Sequence, residues 1–207
     1  MTVELVTTEG IFALDGGEWQ VTNNIWLVGS DKQVMVIDAA HDAAPILRGI
    51  NGRRVAGVVL THGHNDHINA AAALADEVDA PIYLHPADRM LWDAVYPDRA
   101  PDRTLAKGDV LTAGGLELGV LHTPGHSPGC CCFVNVAGGV VFSGDTLFCG
   151  GPGATGRSFS DFPTIVTSIR EQLLSLPPET TVHTGHGDST TIGAEAPQLE
   201  EWIRRGH

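Results

Sequence analysis

Four short apolar runs in this sequence each lead into a glycine-bearing loop that carries histidine or aspartate. The run at 55–60 leads into Thr61-His-Gly-His-Asn-Asp-His67, and the run at 116–121 into Thr123-Pro-Gly-His126. The run at 140–142 leads into Ser143-Gly-Asp145, and that at 181–183 into Thr184-Gly-His186. A continuous Val/Leu stretch reads as a buried strand. Loops at one edge of a sheet are where a rigid scaffold presents reactive groups. Glycine beside each polar residue (Gly63, Gly125, Gly144, Gly185, Gly187) permits tight turns and close backbone approach. The chain is therefore expected to bring four strand ends to one point.

Singly, each cluster has a plain alternative, because a lone His or Asp in a turn is more often solvated than functional. Together they form a ligand set: His62, His64, Asp66, His67, His126, Asp145 and His186. Imidazoles and carboxylates without thiolate suit Zn²⁺, Fe or Mn, with zinc the default at a His-rich hydrolytic site. The set exceeds what one tetrahedral ion can use, which points to two ions.

The remaining pattern sets the architecture. Strands are expected at 11–14, 25–28, 34–37, 82–84 and 130–136, with helices at 43–50, 67–78, 87–95, 164–176 and 196–205. Strands, then β/α pieces, then strands and β/α pieces again predict two similar halves with sheets packed inside helices, in one domain spanning 1–207. A chain of 207 residues, 43% apolar, can bury one sizeable core. Its 25 acidic against 12 basic residues give a net charge of -13, which repels phosphate backbones and anionic lipid. Nucleic acid and membrane are not expected partners. The N-terminus has neither the basic region nor the apolar region of a secretory signal, and no run approaches the roughly 18–20 residues that span a bilayer. Cys130, Cys131 and Cys132 are consecutive and Cys149 stands apart. They lack zinc-finger spacing and read as reduced thiols in a cytoplasmic protein.

These motifs, in this order, resemble the metallo-β-lactamase-fold hydrolases and more narrowly their glyoxalase II-like branch. The resemblance spans about residues 10 to 190. It implies a mixed α/β (α+β) fold, a four-layer αββα sandwich. It also implies that His62, His64 and His126 hold one zinc ion, that Asp66, His67 and His186 hold a second, and that Asp145 bridges them. A hydroxide between two such ions is a nucleophile at neutral pH, since coordination lowers the pKa of water to about 7. Asp66 would orient it. A small thioester is the expected substrate, because a thiol with pKa near 8.5 leaves with little help.

Beside the site, Phe148 to Arg157 is Gly-rich, either as a flexible loop or as a substrate-recognition loop in which Arg157 pairs with a carboxylate. Asp38 is expected to support the metal loop by hydrogen bonds. His41, His85, His122 and His183 are expected to be structural or ordinary polar positions. The cysteines 130–132 are expected to pack as small hydrophobes on a strand. Glyoxalase II proper has a helical C-terminal domain that holds glutathione, whereas only a short tail follows His186 here. The segment Gly156, Arg157, Asp161, Phe162 also resembles the persulfide dioxygenases of the same fold. These use a single Fe(II), with ligands matching His62, His126 and Asp145. A β-lactamase is disfavoured for want of an export signal, and a nuclease by the acidic charge.

Overall fold

A computed structural model describes residues 1–206 and arranges the strands in two six-stranded sheets. The first sheet holds β1 (Thr2–Leu14), β2 (Gly17–Gly29), β3 (Gln33–Ile37), β4 (Arg54–Val59), β5 (Ile82–Leu84) and β6 (Arg103–Thr104), in that order. Between them lie α1 (Ala43–Ile50), α2 (Asn65–Ile68), α3 (Ala71–Val78) and α4 (Arg89–Val95). The second sheet is built from β7 (Val110–Ala113), β8 (Leu116–His122), β9 (Cys131–Asn135) and β10 (Val140–Gly144), completed by β13 (Thr181–Thr184) and β14 (Thr190–Thr191). A small ribbon of β11 (Leu147–Phe148) and β12 (Gly151–Pro152) precedes α5 (Phe162–Ser168), and α6 (Ile192–Glu195) and α7 (Leu199–Arg205) follow.

The layering follows from the two-residue period of a strand, which sends successive side chains to opposite faces. On β2, Trp26 and Val28 enter the layer between the sheets, while Ile25 and Leu27 face α1 and α3. On β9, Cys131 and Phe133 point between the sheets, and Cys132 and Val134 point toward α5 and α7. Both sheets are thus apolar on both faces, and the only stable arrangement covers each outer face with helices. The expected αββα order is the one observed.

Three local expectations are corrected. The first strand starts at Thr2, well before Ile11, because pairing with β2 from Thr2↔Gly29 to Leu14↔Gly17 orders a segment whose own pattern is weak. Its two-residue turn, Asp15-Gly16, has φ of 53° and 77°, the mirror-image geometry that matches strand twist. The helix expected over 67–78 is broken into α2 and α3. There the Ala39 N–H donates to His67 O and the Ala70 N–H to Ala39 O, so backbone groups serve a tie to β3 instead of the helical ladder. The helix expected over 164–176 starts earlier, capped by Asp161, whose carboxylate accepts the Thr164 N–H at 2.9 Å. It widens into π-type turns at Ile169–Leu173.

Phe133 is fully buried between the sheets. Its replacement by alanine is expected to cost about 3–5 kcal/mol of stability, read as a lowered urea midpoint. A loss below about 1 kcal/mol would show that this layer is not a close-packed core.

Candidate metal centre

The four loops meet at one rim. β10 runs parallel to β13, and β8 shares their direction through two antiparallel steps, so these three strands end on the same edge of the second sheet. Across from them β4 ends in His62 and His64, and the single turn α2 carries Asp66 and His67. Backbone ties close the gap between the sheets: the Asn24 N–H donates to Gly185 O at 2.8 Å, and Trp26 Nε1–H donates to Thr184 O at 3.0 Å.

Ligand-type atoms gather in three overlapping groups, each within 4.8 Å: His62, His64 and His126; His62, His67 and Asp145; Asp66, His67 and His186. All the residues singled out from the sequence as ligands lie in this cluster. His186 is the partly exposed member. Gly185 is required there, because a Cβ would stand 2.3 Å from Asp145 Oδ1.

Four of the five imidazoles, all but His64, are aimed by the bond the other nitrogen makes. His126 Nδ1–H donates to Ala154 O at 2.8 Å and His186 Nδ1–H to Thr22 O at 2.7 Å, which turns both Nε2 atoms inward. His67 Nδ1 bonds Asp38 Oδ2 at 2.9 Å. The Thr61 hydroxyl donates to Asp38 and faces His62 Nδ1 at 3.1 Å, leaving His62 Nε2 free. Asp38 thus supports the metal loop as expected, and it also accepts the Thr61 N–H at 2.8 Å.

The cluster fits a cation. His62 Nε2, His64 Nε2 and Asp145 Oδ1 are buried without a hydrogen bond, in a chain where such groups ordinarily find a partner. Basic nitrogens also face each other, His64 Nδ1 to His126 Nε2 at 3.0 Å and His67 Nε2 to His186 Nε2 at 3.2 Å. Burial, reinforced by neighbouring imidazoles, pushes His62 well below the ordinary range and His64 down to about 3, so both are neutral donors. For His67 and His186 burial acts the same way but is outweighed by carboxylates, chiefly Asp145; His67 is raised and His186 reaches about 10. Burial alone would raise Asp145 and Asp66, yet the adjacent imidazoles hold Asp145 far down and Asp66 at about 2.

Two residues of the site had no reading in the sequence beyond ordinary polarity. Asn23 donates from Nδ2 to Asp66 Oδ2 at 3.0 Å, and its Oδ1 accepts from His41 Nε2–H at 2.8 Å. His41 is in turn bonded through Nδ1 to Asn69. The one available signal was the Asn23-Asn24 pair abutting the apolar run at 25–28, the same juxtaposition seen at the other loops. His122 stacks on His85 with centroids 4.1 Å apart, and His183 lies against Trp26 at 4.3 Å; neither joins the cluster. Cys130, Cys131 and Cys132 are buried, and burial raises all three thiols. Cys130 precedes β9 instead of lying on it. Asp161 caps α5 and Phe162 packs in the outer core, so of that segment only Arg157 lines the cavity over the cluster.

That cavity, about 490 Å³, has Phe12, Trp19, Val21 and Phe148 in its wall and His64, Asp66, His126, Asp145 and His186 at its base. The Arg157 guanidinium lies over the Trp19 ring.

The neighbouring carboxylates raise His186 to about 10 and His67 above its usual value, so they favour a proton on this side of the cluster. Zinc uptake is therefore expected to release protons into weakly buffered solution, and affinity should fall as pH is lowered. An indicator dye showing no release would contradict this. Asp38→Ala is expected to weaken zinc binding about 10–100-fold in a chelator competition, whereas His85→Ala, remote from the cluster, should leave it unchanged.

A family profile described as Metallo-beta-lactamase superfamily matches residues 19–186. The probable metallo-hydrolase YqgX of Bacillus subtilis is 35% identical, covering 84% of this chain and 90% of that one. Hydroxyacylglutathione hydrolase GloC of Haemophilus influenzae is 33% identical, covering 83% and 87%. The crystal structure of TTHA1623 in a di-iron-bound form superposes with a TM-score of 0.77 at 36% identity, covering 85% of this chain and 93% of that one. No helix among the described residues is long and apolar enough to cross a membrane. With the cluster, the fold and these relatives in agreement, the chain belongs to the metallo-beta-lactamase superfamily and is a metal-dependent hydrolase of that fold.

Proposed function

We propose that this chain is a thioester hydrolase acting on small acyl conjugates of a low-molecular-weight thiol, with two zinc ions as its cofactor. His62, His64 and His126 would hold one ion and Asp66, His67 and His186 the other, and Asp145 would be a further carboxylate donor. Ions held there supply a Lewis acid for the thioester carbonyl and bring the pKa of water down to about 7. The observation that carries the reading is the cavity, walled chiefly by aromatic and aliphatic side chains with Cys149, Arg157 and Asp188 among them, that opens directly onto the base of the cluster. The likeness to a hydroxyacylglutathione hydrolase supports the same chemistry.

The chain's own groups have separable tasks. Asp66 is fixed through Oδ2 by the Asn23 amide, while Oδ1 has no hydrogen-bond donor among the described residues. Oδ1 would therefore be the oxygen open to a hydrogen bond from water in the loaded site. With its pKa at about 2, Asp66 orients that water and does not keep its proton. Phe12, Val21 and Phe148 exclude bulk water and take the acyl chain. The departing sulfur leaves as thiolate, with a thiol pKa near 8.5, and needs no acid from the cavity wall.

Protein expressed without added metal and then loaded with zinc is expected to hold two ions per chain by elemental analysis. It should release free thiol from a panel of short acyl thioesters, and Asp66→Asn should lower kcat on the order of 10²-fold or more. A fully zinc-loaded protein that releases no thiol from any of them sinks this reading. One iron per chain with oxygen uptake on glutathione persulfide would instead place it with the single-iron dioxygenases.

A further inference from the structure

The cation at the cavity rim is built in from two distant segments. Trp19 stands on β2, and Arg157 lies on the loop between β12 and α5. The Arg157 Cζ sits 3.7 Å from the Trp19 ring centroid and 5.9 Å from that of Phe12. A second tie joins the same segments: Ser158 donates its N–H and its hydroxyl to the Asp15 carboxylate at the hairpin tip, at 2.9 and 2.6 Å. The loop is closed on itself by Ser160 Oγ, which accepts the Gly156 and Arg157 N–H groups and donates to Arg157 O at 2.7 Å. Phe159 is held at φ 70°, in the left-handed region that a bulky side chain seldom takes. These bonds lay the guanidinium on the hairpin.

The guanidinium packs over the Trp19 ring, a contact that uses none of its N–H donors in a hydrogen bond to an oxygen. The planar fork has five N–H donors in its own plane, and none is bonded to a carboxylate or carbonyl among the described residues. Asp15, the acidic group tied to the same loop, accepts its two bonds from Ser158 and feels Arg157 only through space, with no hydrogen bond between them. Arg157 is the only lysine or arginine among the described residues lining the cavity, in a chain of net charge -13. A cation kept over aromatic rings, unpaired, at the mouth of an acidic protein's site is placed for an anion that arrives with the substrate.

We infer that Trp19 and Arg157 form an anion subsite that selects thioesters bearing a carboxylate, on either the acyl group or the thiol carrier. The carboxylate accepts two parallel N–H bonds from the guanidinium edge. Trp19 is a positioning residue: it fixes the plane of the fork. The inference rests on the thioester-hydrolase reading for the scissile bond but not for the anion.

Three thioesters separate the two sources. S-acetyl-N-acetylcysteamine carries no carboxylate, S-succinyl-N-acetylcysteamine carries one on the acyl side, and S-acetyl-3-mercaptopropionate carries one on the carrier side. With zinc-loaded full chain, one of the charged substrates is expected to exceed the neutral one in kcat/KM by about tenfold, mainly through KM. In Arg157→Ala that ratio should fall to near one, and Arg157→Lys should keep part of it, because a point charge lacks the fork. Trp19→Leu should raise KM for the favoured substrate with little change in kcat. A ratio that is the same in the wild type and Arg157→Ala overturns the subsite. If no thioester is cleaved, the hydrolase reading fails by itself, and succinate titrated against tryptophan fluorescence still tests the subsite. Saturation lost in Arg157→Ala upholds it; equal binding by both proteins, or none by either, overturns it.

Discussion

Two buried carboxylates hold the segment on which the site depends. Thr61 to His67 carries four of the clustered side chains, and its first half has no helix or strand of its own. Asp38, at the end of β3, accepts the Thr61 N–H and hydroxyl and the His67 ring. Asp88, fully buried beside α4, accepts the Gly63 N–H at 2.8 Å from the first sheet's loop. It also takes the Ser127 hydroxyl at 2.6 Å and the Gly129 N–H at 2.5 Å from the second sheet's loop. One side chain therefore clamps the loop of His62 and His64 to the loop of His126. A buried carboxylate with three donors is well satisfied, and removing it would strand all three at once.

The same charges set the chemistry. A chain this acidic concentrates carboxylates, yet at the rim they are matched by imidazoles whose protonation they control. Burial and neighbouring imidazoles hold His62 and His64 low, while carboxylates draw His67 and His186 toward the charged form. The cluster thereby divides into a side ready to donate lone pairs and a side where an incoming cation must displace protons. His62 and His64 fall on the first side and His67 and His186 on the second, through burial and proximity alone.

Much of the centre was legible because its signals are local. Each ligand follows an apolar run closely, and strand direction does the rest: three strands that end on one edge of a sheet bring their loops together whatever the residues between them. The supporting shell was not legible in this way. Asp38 could be suspected from its place after an apolar run. Asn23, His41 and Asp88 could not, since their partners lie 43, 18 and up to 41 residues away and no periodicity links them. Helix ends were misjudged for a related reason. At Ala70 a tie to Ala39 outweighs the helical tendency of an alanine-rich segment.

By itself the sequence determined which residue types end which strands, and hence the donor groups that gather at the rim, the layered architecture and the net acidity of the chain. Alternation and apolar runs are properties of neighbours along the chain, so they survive without a structure. Only the tertiary structure decided how the remote pieces meet. It extended β1 back to Thr2 by pairing, joined Asp15 to Ser158 across 143 positions, and laid Arg157 on Trp19. These are contacts between segments with no shared pattern, and their energies are fixed by the shape of the folded chain.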